Sequence, residues 1–180
     1  MIFRIISHIK SFIYDVKYKR NFMKQLHKLE QLKDTQIGNR CFILGNGPSL
    51  KDQNLALLKD EYTFVTNHFI QHSQLEEINP SFYCASDINF FRPFINKNWH
   101  DRFTYLPKTT KIFFTYRAVK EVSKSKIFKD FEVYFMRYHP KKIWKYGVFS
   151  SEIENFVYSG DTVIIDFCIP IAIYMGFSEI

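Results

Sequence analysis

The chain of 180 residues is 46% hydrophobic and 24% charged, long and apolar enough for one domain with a substantial core, which excludes a disordered chain. Its formal charge of +7 is uneven: residues 1–36 hold eight Lys/Arg against three Asp/Glu, while residues 37–180 hold seventeen against fifteen. The near balance of the larger part excludes a broad nucleic-acid-binding face, and Cys41, Cys84 and Cys168 form neither a CxxC pair nor a Cys/His cluster, so they read as reduced, buried thiols of a cytoplasmic protein.

Residues 2–33 read as helix: Ile2, Ile5, Ile6, Ile9, Phe12, Ile13 and Val16 recur at three- and four-residue spacing, and Met23, Leu26, Leu29 and Leu32 continue the stripe. Lys17, Lys19, Arg20, Lys24 and Lys28 occupy other positions. Such a helix packs on its own domain or a partner, or lies on an anionic membrane surface, where apolar burial and basic charge add. No cleavable leader pattern opens the chain, and no stretch approaches the roughly 20 apolar residues of a spanning helix. The polar break at residues 34–39 is the one clear linker, which divides the chain into a basic helical segment, 1–36, and an α/β domain, 37–180.

From Arg40 the rhythm changes. Residues 41–44 form a short apolar run ending in a glycine turn, the signature of a buried parallel strand. Residues 50–60 read as helix, 62–66 as a second strand, 71–78 as a short helix closed by Asn79-Pro80, and 82–85 as a third strand. Strands are expected over 111–115 and 133–136 with a helix over 119–129 between them. Residues 162–175 make a long apolar helix, with Pro170 kinking or splitting it and Gly176 at the stop position. Alternating strands and helices predict a Rossmann-like α/β fold, a mostly parallel sheet flanked by helices and preceded by an N-terminal helix.

The candidate chemistry follows the strands. In Gly45-Asn46-Gly47-Pro48-Ser49-Leu50 a strand ends, two glycines permit a tight or left-handed backbone, and a helix is expected to follow. That geometry turns backbone N–H groups toward an anion such as phosphate. Pro48 suits a first helical turn, and Ser49 and Asn46 can add side-chain hydrogen bonds. The loop is neither GxGxxG nor GxxxxGK[ST]. Asn67 directly follows the second strand and Asp87 the third, so they share the sheet edge where open α/β sheets bind ligands. Singly each is equally a helix cap. Ser159 and Gly160 precede the late helix and can supply further donors, or simply cap it. Asp161 is unsuited to face a phosphate. His68 and His72 are four apart, but no third metal ligand accompanies them. His139, in Arg137-Tyr138-His139-Pro140, is the candidate general acid or base, or a surface-loop histidine.

The order Phe42-Ile43-Leu44-Gly45-Asn46-Gly47-Pro48-Ser49-Leu50, Phe64-Val65-Thr66-Asn67, Pro80-Ser81-Phe82-Tyr83-Cys84-Ala85-Ser86-Asp87, Ser159-Gly160 and Ala172-Ile173-Tyr174-Met175-Gly176-Phe177 resembles two related families. One is the MptE-like 6-hydroxymethylpterin diphosphokinase domain (domain of unknown function 115). The other is the bacterial sialyltransferases of glycosyltransferase family 42. The resemblance covers roughly residues 40–180. It implies that Asn46, Gly47, Asn67, Ser159 and Gly160 contact a CMP-sugar donor. At position 87 the sialyltransferases carry Asn, whereas Asp87 matches the MptE-like family. In both families the segment matching Gly176-Phe177-Ser178-Glu179-Ile180 runs on into a further core strand ending in Gly-x-Asp. The resemblance therefore implies that this chain is a fragment of a longer reading frame and that a catalytic histidine lies beyond Ile180.

Together these features lead us to expect a cytoplasmic transferase acting on a nucleotide-activated donor and a glycan acceptor in surface-polysaccharide biosynthesis. No cofactor is certain for it, the nucleotide-sugar donor being a substrate, and residues 1–33 would touch the inner face of the cytoplasmic membrane. The alternatives are diphosphate transfer from ATP to a pterin alcohol, with Asp87 as a magnesium ligand, and an inactive nucleotide- or glycan-binding module.

Overall fold

The computed structural model describes residues 23–91, 99–142, 152–159 and 162–180. Five parallel strands, β1 (Cys41–Leu44), β2 (Tyr62–Thr66), β3 (Phe82–Ala85), β4 (Lys111–Thr115) and β5 (Glu132–Met136), form one sheet in the order β1-β2-β3-β4-β5. The expected strands fall where the apolar runs placed them, and the architecture is the Rossmann-like α/β layout. A small two-stranded parallel sheet comes next in the chain, β6 (Tyr138–Lys142) with β7 (Val157–Ser159).

A sequential strand order has a consequence for the layers. Crossovers of one hand that always step in the same direction all pack on the same face. The two cores show that division. On one face Val65, Tyr83, Ala85, Ile112 and Phe114 meet residues of the four crossovers, such as Leu55, Phe69, Ile78, Phe103 and Phe128. On the other, Cys41, Phe64, Phe82, Cys84, Phe113 and Tyr134 meet Leu29, Leu32, Val163, Phe167, Ile171 and Met175. Alternate strand residues thus face opposite layers, as a sheet covered on both sides requires. The second face is closed by the segment before β1 and by the late helix after β5.

Helix α1 (described from 23 to 30) is the first of these covers. Leu29 and Leu32 are 1% and 4% exposed, and Lys28 donates to the Val133 carbonyl oxygen at 2.8 Å while lying over the Tyr134 ring. The Asp34 and Gln36 N–H groups donate to the carbonyls of Tyr174 and Met175. Residues 23–36, grouped by the sequence with the basic segment, are therefore built into the sheet's second core. Residues 1–22 lie outside the described part. Among the described residues no helix is long and apolar enough to cross a membrane.

The helices depart most from expectation. Residues 50–60 form no α-helix but two 3-10 turns, Pro48–Asp52 and Leu55–Leu58, separated by Gln53 and Asn54, side chains that compete for backbone hydrogen bonds. Of the helix expected over 71–78 only the single turn α2 (Leu75–Ile78) forms, closed by Asn79 in the left-handed region, and a 3-10 turn, Asn67–Gln71, precedes it. Residues 119–129 split at Ser125 into α3 (Val119–Lys124) and a 3-10 turn, Ile127–Asp130. In the last helix, Ile164–Cys168 adopt π geometry and lead into α4 (Ile169–Tyr174). Pro170 explains this: it cannot donate to the Asp166 carbonyl four residues back, so the preceding turn widens. Gly176, at φ +83°, ends α4, with its N–H on the Ile173 carbonyl and the Phe177 N–H on the Ala172 carbonyl, the pairing a left-handed stop provides.

Beyond α4 the chain reaches the outer side of β1. The Cys41 N–H donates to Glu179 O at 2.9 Å and the Ser178 N–H to Asn39 O at 2.8 Å, giving a parallel bridge between Arg40 and Glu179. β1 is therefore where the strand order turns: its route to β2 crosses one face, and the route arriving at Glu179 crosses the other. Ligand crevices of open α/β sheets lie at the carboxyl ends of strands at such a point.

Candidate functional site

The loops after β1, β2 and β3 open along one edge, so Gly45-Asn46-Gly47-Pro48-Ser49, Asn67 and Asp87 are brought to the carboxyl ends of three adjacent parallel strands. A cleft of about 570 Å3 is lined by Asn67, His68, Gln71, Asp87, Asn89, Phe90 and Arg102. A hollow of about 280 Å3 adjoins it, sharing His68 and Gln71 and continuing along Asn46, Gly47, Pro48 and Lys51. Another hollow, of about 530 Å3, sits at the opposite edge among Gln31, Pro80, Lys111 and Glu132, away from these loops.

The loop after β1 is held by side chains rather than by glycine torsions. Neither Gly45 nor Gly47 has a positive φ, so of the tight or left-handed backbone that the glycines permit, the left-handed form is not used. Gly47 is extended at φ −69°, ψ 149°, and precedes the Pro48 turn. Asn46 Nδ2 donates to Thr66 O at 3.1 Å and lies 3.2 Å from Thr66 Oγ1, while the buried Thr66 hydroxyl donates to Leu44 O at 3.3 Å. The Asn46 amide thus ties the loop to the end of β2. Gly45 abuts the late helix, since a Cβ there would stand 3.4 Å from Ile164 Cδ1. The turn at Pro48–Asp52 is too short to bring a substantial helix dipole to this edge.

Asn67 is the unusual member. Its φ is +44°, and Tyr83 Oη donates to its carbonyl oxygen at 2.6 Å. Burial pushes the Tyr83 phenol far above its ordinary range, so it remains a neutral donor. Among the described residues the buried Asn67 Oδ1 has no hydrogen-bond partner. A desolvated, unpaired acceptor costs about 1–3 kcal/mol, and the residue that carries this one lines the cleft.

Asp87 is exposed and caps the next turn, its Oδ1 accepting the Asn89 N–H at 2.8 Å. Its cleft neighbour Arg102 comes from the 3-10 segment Trp99–Tyr105, to which sequence reasoning assigned no role. His68 faces Gln71 at 3.1 Å, and His72 stacks on Phe69 with its Nδ1 accepting the Gln74 N–H; both histidines line the smaller hollow. Among the described residues no three His, Cys, Asp or Glu side chains gather as a metal site.

Ser159 ends β7, close before the late helix, whose first turn is tied by the Ile165 N–H on Thr162 Oγ1. Gly160 lies outside the described residues. His139 sits on β6 against the rings of Phe156 and Tyr158, at 4.6 and 5.1 Å between centroids, and does not line the cleft. Its neighbour Tyr138 points the other way, into the second core, and donates to Asp166 Oδ2 at 2.7 Å. Asp166 is 4% exposed. Sequence reasoning passed over it, although a lone carboxylate in the apolar run Val163-Ile164-Ile165-Asp166-Phe167-Cys168 was a signal.

Compared with protein-family models, characterised proteins and solved structures, the chain matches none.

Proposed function

We propose that this α/β domain binds the nucleotide part of an activated donor along the carboxyl edge of β1, β2 and β3 and transfers the activated group to a hydroxyl acceptor. The reading we favour is a glycosyltransferase-like enzyme of surface-glycan synthesis using a CMP-sugar of the sialic acid type. The observation that carries it is Asn67, a residue lining the cleft whose Oδ1 has no hydrogen-bond partner among the described residues. A nucleoside supplies the missing partner, either a base amino group or a ribose hydroxyl. The adjoining hollow beside Gly47 and Lys51 suits the phosphate. Residues 1–22 add a basic, apolar-striped segment fit for an anionic membrane surface.

Asp87 favours a second reading, diphosphate transfer from ATP to a pterin alcohol. An exposed carboxylate in the cleft can hold one side of a magnesium ion whose other ligands are phosphate oxygens and water. Calorimetry of the full chain with CMP, and with ATP in the presence and absence of magnesium, separates the two. Metal-independent CMP binding supports the glycosyltransferase-like reading, and magnesium-dependent ATP binding the other. A folded chain that binds neither nucleotide loses both, leaving the glycan-binding module.

A further inference from the structure

The crossover from β3 to β4 brings a cation to the cleft. Its 3-10 segment, Trp99–Tyr105, packs on the Asn67–Gln71 turn that follows β2. Phe103 anchors the segment: its ring is fully buried in the first core, edge-on to Tyr83 at 5.0 Å and to Phe128 at 4.9 Å between centroids. Thr104 Oγ1 donates to Asp101 O at 2.6 Å and ties the turn from its exposed side. With Phe103 fixed in the core, the half-buried Arg102 is held at the cleft that Asn67 and Asp87 also line. Among the described residues the Arg102 guanidinium makes no hydrogen bond or ion pair, and Asp87 Oδ1 takes the Asn89 N–H instead. An arginine fork without a carboxylate partner in a polar cleft keeps its paired donors for an incoming anion. The hollow that suits the phosphate has its own cation, Lys51, and Arg102 does not line it. Lys51 in turn does not line the cleft. Among the described residues that line them, the two adjoining cavities thus carry one Lys or Arg each, which fits a ligand with two separate negative groups.

We propose that Arg102 selects donors that carry an anionic group beyond the nucleoside monophosphate and binds that group through its guanidinium fork, an inference that deepens the donor-binding reading above and rests on it. Two chemistries supply such a group: the carboxylate of a nucleotide-activated sugar acid, and the outer phosphates of a nucleoside triphosphate. Both present paired oxygens that a guanidinium meets with two parallel N–H bonds, a match that the point charge of a lysine does not reproduce. Asn67 and Asp87 offer acceptors to hydroxyl and amino groups from the same cleft, and Arg102 offers donors to the oxyanion. Arg102 thereby determines which donor binds and takes no part in making or breaking bonds.

The test uses the full chain and two pairs of probes, CMP against CMP-N-acetylneuraminate, and AMP against ATP, the second pair with magnesium. Dissociation constants are measured by calorimetry. In the pair that the parent binds, Arg102→Gln should weaken the member with the additional anionic group at least about tenfold, the low end of what losing a hydrogen bond to a charged group costs, and leave the monophosphate within about twofold. Arg102→Lys should recover only part of that loss. A selective loss in the CMP pair assigns the carboxylate, and one in the AMP pair the outer phosphates. The Arg102 side chain makes no hydrogen bond or ion pair among the described residues, so the substitution should leave the urea midpoint unchanged. If Arg102→Gln fails to fold by circular dichroism, Arg102→Lys decides by the same comparison. An Arg102→Gln protein that binds the fuller donor as tightly as the parent does, or that loses affinity for both members of a pair alike, overturns the inference. A parent that binds none of the four probes removes the donor site itself, and the selection with it, an outcome that the parent titrations identify before any variant is compared.

Discussion

Replacing Gly47 by valine separates what the loop does for the fold from what it does for a ligand. Gly47 lies at φ −69°, ψ 149°, a conformation that a β-branched residue adopts freely. A Cβ placed there meets nothing nearer than Ser49 Oγ at 3.6 Å, an ordinary contact. The substitution also removes glycine's freedom from the unfolded chain, a gain of about 0.5–1 kcal/mol where the native torsions suit the new residue. Gly47→Val should therefore leave stability unchanged or raised in urea denaturation. The valine methyl groups, however, stand where a phosphate would approach the backbone beside Lys51. Losing a hydrogen bond to a charged group costs about 1.5–3 kcal/mol, which is a tenfold to roughly 150-fold rise in Kd. Calorimetric titration with the nucleotide that the parent binds, on protein whose urea midpoint is known, measures both quantities on one preparation. Gly45→Val is the contrast, because its Cβ stands 3.4 Å from Ile164 Cδ1 and presses on the late helix. Undiminished nucleotide affinity in Gly47→Val would refute the assignment of this loop to the donor, and a loss of stability would refute the geometry.

Asn67→Gly relieves a positive φ and deletes the unpaired buried acceptor, so the free protein should gain up to about 1 kcal/mol in denaturant while nucleotide affinity falls; equal affinity would show that Oδ1 serves no ligand. Leu32→Ala should cost about 2–5 kcal/mol in urea unfolding, because Leu32 is 4% exposed within the second core; a cost near zero would mean that residues 23–36 are dispensable to the domain. Burial raises the Cys41 thiol to about 11, so the unfolded chain releases its proton first and stability is intact below about pH 9 and falls as the pH rises toward 11. Cys41→Ala should flatten that alkaline slope by up to about 2.7 kcal/mol between the two limits, measured as urea midpoints across the range. A chain beginning at Met23 should lose the salt-sensitive co-sedimentation with anionic vesicles that the full chain shows; equal binding by both would exclude residues 1–22 as the membrane contact.

The five strands were legible because each is a run of four or five apolar, mostly β-branched or aromatic residues bounded by turn formers, as in Tyr62-Thr63-Phe64-Val65-Thr66 before Asn67. The helices were less so. Periodicity over residues 50–60 or 119–129 marks which side chains are buried, and a pair of 3-10 turns meets that demand as well as one α-helix does. The shared edge of Gly45, Asn67 and Asp87 was legible too, since a parallel sheet puts every strand end on one side. Arg102 was not, because its segment comes well after β3 in the chain and only tertiary packing returns it to Asn67. Tyr138 and Asp166 were invisible as a pair: 28 residues separate them, and no local rule joins a strand start to a helical turn. The grouping of residues 23–36 with the basic segment followed charge, whereas the fold follows Leu29 and Leu32.

The strand order explains how the two layers meet at the carboxyl edge. Four crossovers on one face leave the C-terminal helix to cover the other, and that helix must then cross the sheet to bring Glu179 beside β1. Its π turn consequently touches Gly45 at one end of the edge and holds Asp166 against Tyr138 at the other. β3 lies between, and the two residues after it face different sides. Asp87 lines the cleft, while the alternation along β3 sets Ser86 on the other side. An activated group held by a nucleotide in the cleft would meet its acceptor over the end of β3. The loop after β1 touches both sides as well, with Gly45 against Ile164 of the late helix and Asn46 and Gly47 lining the hollow beside the cleft.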